Sequence, residues 1–424
     1  MQTFYKQFFI NNFPRDFSKN FLEFSWKKFS LFLFLSSKKH QKNIKKTMTN
    51  KIYNFSAGPS KLPEAVVEIA KNELSNWHGK GFSIMEISHR GKDFGEVLAK
   101  SKQDLRNLLG ISDNFEILFL QGGATQQFSQ IPINMLGGRS ADYVITGAWS
   151  EKSFNEAKKV SYYKNDPEHQ IRLVASTQNS NFTKLPEISE IKLNPYAAYL
   201  HLCTNETIHG VEIDPNRLAP LPNVPLIADM SSHILSRPFD IEKFGLVYAG
   251  AQKNIGPAGL TLVIVRKDLL GLADLNTPKT WDYAQLAEND SMINTPPTFA
   301  IYMAGLVFDW LLNTCGGLEN ISKINKQKAD LLYQNIDNSG DFYINSVQKD
   351  CRSQMNVPFI INKNVDKNGE LLQKFLAEAE QNNLVGLKGH KSVGGLRASL
   401  YNAVTLEEVK VLCDFLQEFQ RKFG

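Results

Sequence analysis

Apolar and polar positions along residues 51–310 follow two periodicities that alternate along the chain. Short apolar runs with the length of buried strands occur at 116–120, 143–146, 171–175, 198–203, 225–230, 246–249 and 260–265. Apolar residues at helical spacing occur in the stretches 62–77, 94–109, 125–136 and 149–159. Strands that alternate with helices predict an α/β fold, built on a mostly parallel seven-stranded sheet with helices on both faces.

The pattern changes after residue 310. Helical spacing at 318–336, 371–382 and 406–419 is combined with strand candidates at 356–361 and 393–400. This combination predicts a smaller C-terminal α+β domain. We therefore expect an N-terminal arm and a large domain over 48–310, and a small domain over 311–424.

Residues 1–47 differ in composition from the rest of the chain. They hold ten of the 28 phenylalanines and a net charge of +8, whereas residues 48–424 have a net charge of −3. Their longest apolar run, 29–35, is too short to span a bilayer, which needs roughly 20 residues. Three explanations stay open: a signal peptide, an organellar transit peptide, and upstream sequence translated from a start codon before Met48. We favour the third and expect the leader to lie outside the fold of a cytoplasmic protein, with an organellar or exported location as the alternative.

Composition narrows the class of protein. An apolar fraction of 42% and a charged fraction of 21% are ordinary for a soluble globular enzyme. Because the basic charge belongs to the leader, we expect neither a nucleic acid nor a membrane as partner. The four cysteines lie far apart and form no CxxC pair, which argues against a metal site or a disulfide framework and suits a reducing compartment.

Lys253 lies in a glycine-rich turn between two of the apolar runs, in the sequence GAQKNIGPAG at 250–259. Most lysines are solvated surface residues, and buried ones are rare unless they are paired. A lysine held between core strands can instead serve as an amine nucleophile that forms a Schiff base. Position alone does not decide between these two interpretations.

Two further features favour the chemical interpretation of Lys253. Asp229 ends the run 225–230, where a parallel strand would present its carboxylate to a ligand crevice. Gly122 and Gly123 follow the run 116–120 and open a helix with Thr125 as candidate cap, an arrangement that binds anions. Each feature alone is equally compatible with an ordinary turn or cap. Pyridoxal phosphate (PLP) needs a lysine, a partner for its pyridine nitrogen and a phosphate site, so together they predict PLP. The loop lacks the GxGxxG pattern, which disfavours nicotinamide binding.

Two glycine-flanked basic clusters indicate an anionic substrate. They lie at 88–91, with His89 and Arg90, and at 388–399, with His390, Lys391 and Arg397. Arginine binds carboxylates through two parallel hydrogen bonds, and lysine and histidine add donors for phosphate. Isolated basic residues are usually solvated surface, but two such clusters predict a substrate with more than one negative group.

Longer stretches of the chain closely resemble the phosphoserine aminotransferases, over essentially all of residues 51–424. The matching stretches are FSAGP at 55–59, SHR at 88–90, NETIHG at 205–210, ADMSS at 228–232, YAGAQKNIGPAG at 248–259, NTPPTF at 294–299 and GGLRASLYNA at 394–403. The resemblance implies a class-V, fold-type I PLP enzyme that is a homodimer with shared active sites. It implies amino transfer from L-glutamate to 3-phosphooxypyruvate in serine biosynthesis. The related phosphohydroxythreonine ketone of pyridoxine biosynthesis stays open as a second substrate.

The resemblance also assigns roles to residues. Lys253 would form the Schiff base with PLP and transfer the proton, and Asp229 would bind the pyridine nitrogen. The other implied cofactor residues are Gly123, Ala124, Trp149, which stacks on the ring, Thr207, which meets the ring hydroxyl, Gln252, and Asn294 and Thr295, which reach the neighbouring subunit's cofactor phosphate. The implied substrate residues are Ser56, His89, Arg90, His390, Lys391 and Arg397. Some members have arginine where this chain has Ala124, so one phosphate contact is in doubt.

Two other classes of protein agree less well with the sequence than an aminotransferase does. A PLP lyase or desulfurase on the same fold needs a nucleophilic cysteine in a mobile loop, and Cys315 before Gly316 comes closest to that requirement. A non-catalytic relative kept for interactions would not need the lysine, the acid and the anion-binding residues together. None of the four cysteines lies in a glycine-rich loop, and Cys315 follows a predicted helix, which disfavours the lyase or desulfurase. The presence of the lysine, the acid and the anion-binding residues disfavours the non-catalytic relative.

Overall fold

The computed structural model describes residues 51–162, 171–221 and 223–424. The leader at 1–47 lies outside the described residues, so its predicted separation from the fold stays a prediction. The helices are α1 Glu64–Glu73, α2 Lys92–Leu109, α3 Ala124–Met135, α4 Ala148–Tyr162, α5 Tyr283–Glu288, α6 Thr298–Asp309, α7 Leu318–Asp337, α8 Glu370–Gln381 and α9 Leu406–Phe423. The strands are β1 Tyr53–Asn54, β2 Phe115–Gln121, β3 Ala141–Ile145, β4 Ile171–Ser176, β5 Leu200–Cys203, β6 Leu226–Asp229, β7 Leu246–Gly250, β8 Leu260–Arg266, β9 Tyr343–Ile344, β10 Asn356–Ile361, β11 Leu384–Val385 and β12 Leu396–Ser399.

Seven strands form the central sheet in the order β2-β8-β7-β6-β5-β3-β4. The strands from β7 to β4 are parallel, whereas β8 runs antiparallel to β7 and β2. The prediction of a mostly parallel seven-stranded sheet is confirmed. The carboxyl ends of the parallel strands β5, β6 and β7 lie at the same end of the sheet, and the turn from β7 to β8 lies there as well. This topology places Asp229 and Lys253 side by side.

Both faces of the central sheet are buried, which explains why its strands are continuous apolar runs. Ile227 and Tyr248 pack on one face with Phe128 of α3. The alternate residues Ala228 and Val247 pack on the other face, in the core that also holds α2 and α6. Because successive side chains of a strand point to opposite faces of the sheet, neighbouring residues of one strand pack in different cores.

A second hydrophobic core is formed mainly by residues of the C-terminal part of the chain. Strands β12, β10 and β9 form an antiparallel sheet that packs with α7, α8 and α9. The N-terminal arm joins this core, because Phe55 is buried in it and β1 pairs with β11. Helix α7 contributes to both cores, with Leu318 in the first and Leu332 in the second. The predicted domain boundary at 310/311 stays a prediction.

Two local predictions differ from the structure, and one helix was missed. The helix predicted at 62–77 begins after Pro63 and ends at Glu73. Thr125 does not cap α3, since Gly123 holds the cap position and no side chain caps the helix. Helix α6 was not predicted, because it is buried on nearly all sides and therefore shows no apolar periodicity. In the described ranges no single helix is long and apolar enough to span a membrane, and only the pair 298–314 and 318–337, bent by 91°, meets that criterion jointly.

Candidate active site

Lys253 lies in the turn between β7 and β8, with its side chain half-buried. Its Nζ donates a hydrogen bond of 2.7 Å to Thr207 Oγ1 and lies 5.6 Å from the centre of the Trp149 ring. The N-terminal arm crosses the lysine, since Ser60 Oγ donates to the Lys253 carbonyl at 2.5 Å. A Cβ on Gly58 would lie 3.2 Å from Lys253 Cγ, and the φ of +135° also requires glycine there. The lysine is therefore held by its backbone and by its terminal amine.

Asp229 is buried at the end of β6, with 5% of its surface exposed. Its Oδ1 accepts a hydrogen bond of 2.9 Å from the Ser231 backbone N–H. Burial raises the pKa of Asp229, and the positive charge of Lys253 opposes this rise. Burial likewise lowers the pKa of Lys253, and the negative charge of Asp229 opposes that fall. The two groups thus stabilise each other's charged form. Burial has the opposite effect on Lys253 and lets its amine become neutral at a pH below the ordinary lysine pKa.

Thr207 connects Lys253 to Arg397. Its hydroxyl accepts from Lys253, and its carbonyl accepts a hydrogen bond of 3.1 Å from Arg397 Nη1. The Nε of Arg397 is buried and has no partner in the described part of the chain. A half-buried guanidinium with a buried, unused Nε–H donor is suited to bind a carboxylate.

The N-terminus of α3 lies directly after β2 and begins at Ala124. Within the described ranges, the backbone N–H groups of Gly123, Ala124 and Thr125 donate to no acceptor. Three free donors at the positive end of a helix dipole form an anion site. Ala124 contributes no side-chain donor, so this site relies on backbone groups.

His390 and Lys391 lie in the loop before β12. The Nδ1 of His390 lies 2.7 Å from Ser392 Oγ, and Lys391 is exposed. Burial lowers the pKa of His390, and the charges of Arg397, Lys152 and Lys391 lower it further. The loop therefore contributes to a positively charged region beside Arg397.

Sequence reasoning missed three residues of this site. Lys152 lies one turn along α4 from Trp149, with its Nζ 4.1 Å from the centre of that ring. His209 Nδ1 accepts a hydrogen bond of 3.3 Å from Ala148 N–H, and burial, with a smaller effect of His390, lowers its pKa to about 4. Glu206 is buried against the start of α4. Glu206 and His209 belong to the NETIHG stretch, which carried the only available signal.

Four of the predicted residues make no contact with Lys253 in the described residues: Asn294, Thr295, His89 and Arg90. Asn294 and Thr295 are exposed, and the Thr295 carbonyl accepts a hydrogen bond of 2.5 Å from Gln121 Nε2, beside the α3 loop. No hydrogen bond, ion pair or ring contact in the described residues joins His89 or Arg90 to Lys253, Asp229 or Arg397. Ser56 packs closely on Gly386, whereas Gln252 accepts a hydrogen bond of 3.0 Å from Ser60 N–H through its carbonyl oxygen.

The cysteines do not form a nucleophilic site. Cys203, Cys351 and Cys413 are buried, and Cys315 is half-buried. Burial raises the pKa of Cys315 to about 11, mitigated slightly by Lys328, so its thiolate is scarce at neutral pH. The geometry gives no support to a desulfurase.

A family model described as Aminotransferase class-V matches residues 52–412. The chain belongs to the class-V aminotransferase family. This class-V aminotransferase is 54% identical over 374 residues to the phosphoserine aminotransferase of Aromatoleum aromaticum, covering 88% of this chain and 100% of that protein. The phosphoserine aminotransferase structure from Bacillus circulans subsp. alkalophilus matches with a TM-score of 0.83 and 45% identity, covering 88% and 99% of the two chains. The PLP-bound phosphoserine aminotransferase from Trichomonas vaginalis matches with a TM-score of 0.80 and 41% identity, covering 87% and 100%.

These similarities confirm the predicted resemblance, and with it an aminotransferase of the phosphoserine type.

Proposed function

We propose that this class-V aminotransferase transfers the amino group of L-glutamate to 3-phosphooxypyruvate, giving O-phospho-L-serine and 2-oxoglutarate. The observation that carries the proposal is the connection of Lys253 to Arg397 through Thr207. Thr207 holds both a reactive amine and a carboxylate-binding guanidinium. An α-amino acid whose carboxylate binds this guanidinium therefore has its Cα near the amine.

PLP fits the donor set of this site. Lys253 supplies an amine for the aldehyde, Asp229 a buried carboxylate for the ring nitrogen, and Thr207 a hydroxyl for the ring oxygen. The backbone donors of Gly123 and Ala124 would hold the phosphate, with Gln252 beside the lysine. The Trp149 ring would cover one face of the cofactor, and its buried Nε1 has no partner in the described residues.

When bound, PLP supplies an aldehyde that links to amines and a ring that accepts the electron pair left at Cα. Lys253 would carry the proton between Cα and the cofactor carbon that bears the aldehyde, away from Cα for glutamate and towards Cα for the ketone. Its lowered pKa favours this role, because a base must be neutral to accept a proton. Asp229, as a carboxylate, would keep the ring nitrogen protonated. Thr207 would hold the lysine amine in place between these steps.

The charges around Arg397 support a substrate with two anionic groups. Arg397, Lys391 and Lys152 form no ion pair with a carboxylate in the described part of the chain. His390 lies among them and adds a further donor. An uncompensated group of cations favours a carboxylate together with a phosphate over a neutral amino acid.

A homodimer with shared sites is part of the proposal. Apolar side chains between 67 and 85 are exposed: Val67 44%, Ile69 43%, Leu74 44%, Phe82 38% and Met85 53%. Exposed apolar groups of this kind are typical of subunit interfaces. His89 and Arg90 follow this surface directly, so a second copy packed there would receive their side chains. Asn294 and Thr295, exposed beside the α3 loop, would reach the partner's cofactor phosphate.

The cytoplasm is the location we propose. The four cysteines are free thiols, which suits a reducing compartment. Cell fractionation with an antibody to the chain would test it, and recovery in an organelle or outside the cell would contradict it.

The proposal is tested by assaying the purified chain, supplied with PLP, for phosphoserine formed from glutamate and 3-phosphooxypyruvate. We expect turnover with both substrates and none when either is omitted. The phosphohydroxythreonine ketone is assayed beside it, and the ratio of the two kcat/KM values shows which ketone the enzyme prefers. Absence of amino transfer to either phosphorylated ketone would refute the proposed function.

A further inference from the structure

Glu206 has a buried carboxylate that the proposed chemistry does not use. None of its side chain is exposed. Its Oε2 accepts a hydrogen bond of 3.0 Å from the Trp149 backbone N–H. Its Oε1 accepts from the Ser150 backbone N–H at 2.9 Å and from Ser150 Oγ at 2.6 Å. Both carboxylate oxygens therefore bind the first turn of α4.

The surroundings of Glu206 are built for a carboxylate. The N-terminus of α4 is the positive end of a helix dipole, and it stabilises a negative charge. Burial raises the pKa of Glu206, and the hydrogen bonds from Ser150 and Trp149 oppose this rise. A Cβ on Gly147 would clash with the Glu206 carboxyl group, so only glycine leaves room for it. Close packing thus fixes the carboxylate as well as its hydrogen bonds.

Hydrogen bonds also fix the backbone of Glu206. Its N–H donates to the Val211 carbonyl at 2.8 Å, and its carbonyl accepts from Gly210 N–H at 2.7 Å. The next residue is Thr207, which holds Lys253 and Arg397. A shift of Glu206 would therefore move Thr207 and the start of α4 together.

We infer that Glu206 is a positioning residue that fixes the ring of Trp149 relative to Thr207 and Lys253. Trp149 and Thr207 lie on different segments, and Glu206 joins them through its side chain and its peptide bond. The inference rests on the proposed function, because the group placed between these residues is the PLP ring. Glu206 makes no contact with the reacting atoms in this assignment.

The inference is tested by titrating the apoenzyme with PLP in wild type, Glu206→Gln and Glu206→Ala. The dissociation constant is read from cofactor absorbance, and ring orientation from the circular dichroism induced in the cofactor band. Quenching of Trp149 fluorescence, isolated by comparison with Trp149→Phe, reports the ring contact. Asp240→Ala is the matched control, since the exposed Asp240 also caps a helical turn, by accepting from Glu242 N–H at 3.0 Å.

We expect the PLP dissociation constant to rise about tenfold or more in Glu206→Ala, because charge-assisted hydrogen bonds are lost. Glu206→Gln, which keeps the shape and one acceptor oxygen, should lose less affinity but show an altered cofactor dichroism. Asp240→Ala should match wild type in both readouts. If Glu206→Ala does not fold, the dichroism of Glu206→Gln decides.

Wild-type affinity and dichroism in the Glu206 variants would overturn the inference, as would an equal loss in Asp240→Ala. A wild-type chain that binds no PLP would instead refute the proposed function, so the two failures are distinguishable.

Discussion

The Nζ atom of Lys253 donates a 2.7 Å hydrogen bond to the hydroxyl of Thr207. The carbonyl of the same threonine holds Arg397. One residue therefore sets the distance between the group that would move a proton and the group that would bind the substrate carboxylate. Substitution of Lys253 should therefore reduce the rate of the chemical step, whereas substitution of Arg397 should weaken substrate binding.

Arg397→Ala tests the binding end. The variant should raise KM for both glutamate and 3-phosphooxypyruvate by about 30-fold or more, because loss of a hydrogen-bonded charge partner costs about 2–5 kcal/mol. Arg397→Lys keeps the charge without the paired donors and should fall between wild type and Arg397→Ala. Steady-state kinetics measure the change, with Arg421→Ala, an exposed arginine paired to Glu418, as control. Unchanged KM values for both substrates would exclude Arg397 as the carboxylate clamp.

Shared active sites predict complementation between two inactive variants. Lys253→Ala and Arg90→Ala should each be nearly inactive alone. If Arg90 serves the partner's site, a mixed dimer has one site with both residues intact. Random reassortment of equal amounts would restore about a quarter of wild-type activity.

The complementation is measured after unfolding and refolding the two chains together, with each variant refolded alone as control. If Arg90 instead served its own chain, every site in the mixed dimer would lack one residue. Persistent inactivity of a mixture that contains mixed dimers would therefore contradict shared sites.

Lys328 on α7 offers a test of pH dependence. Its buried Nζ donates to the carbonyls of Leu400 at 2.9 Å, Tyr401 at 2.9 Å and Val404 at 2.8 Å. Burial lowers its pKa from the ordinary 10.5 to about 7. Between these values the unfolded chain binds more protons than the folded one, so the contribution of Lys328 to stability increases as pH rises.

Lys328→Met removes this titration. The variant should be less stable by about 3 kcal/mol, since three buried carbonyls lose their donor. The stability difference in favour of wild type should grow from pH 7 upwards, with a slope of at most about 1.4 kcal/mol per pH unit. Denaturant unfolding at a series of pH values measures it. A difference that shrinks as pH rises would contradict the assignment of a lowered pKa.

The parts of the site that the sequence predicted are those with a local signal. Asp229 ends a buried apolar run, and Lys253 lies in the glycine-rich turn after the next one, so the apolar runs and the turn between them located both in the predicted sheet. The same periodicity predicted all seven strands of the central sheet. Because parallel strands end at a common edge, the proximity of the two residues followed from the topology.

Contacts between distant segments had no such signal. Glu206 binds the first turn of α4 from 57 residues away, and nothing in the local pattern distinguishes it from a solvated acid. Helix α6 is buried on nearly all sides and has no periodicity to detect. Pairing of β1 with β11 brings the N-terminal arm to the second core, and strands of two residues leave no readable pattern.

Lys253 is the residue that we propose performs the proton transfer in the conversion of glutamate and 3-phosphooxypyruvate. The most direct measurement is phosphoserine formation by Lys253→Ala supplied with PLP, beside wild type and Lys323→Ala, an exposed lysine of α7. We predict that Lys253→Ala still binds PLP, lacks the Schiff-base absorbance of wild type, and loses about 10⁴-fold or more in turnover, whereas Lys323→Ala matches wild type. Amino transfer by Lys253→Ala at a rate near that of wild type would contradict this role of Lys253.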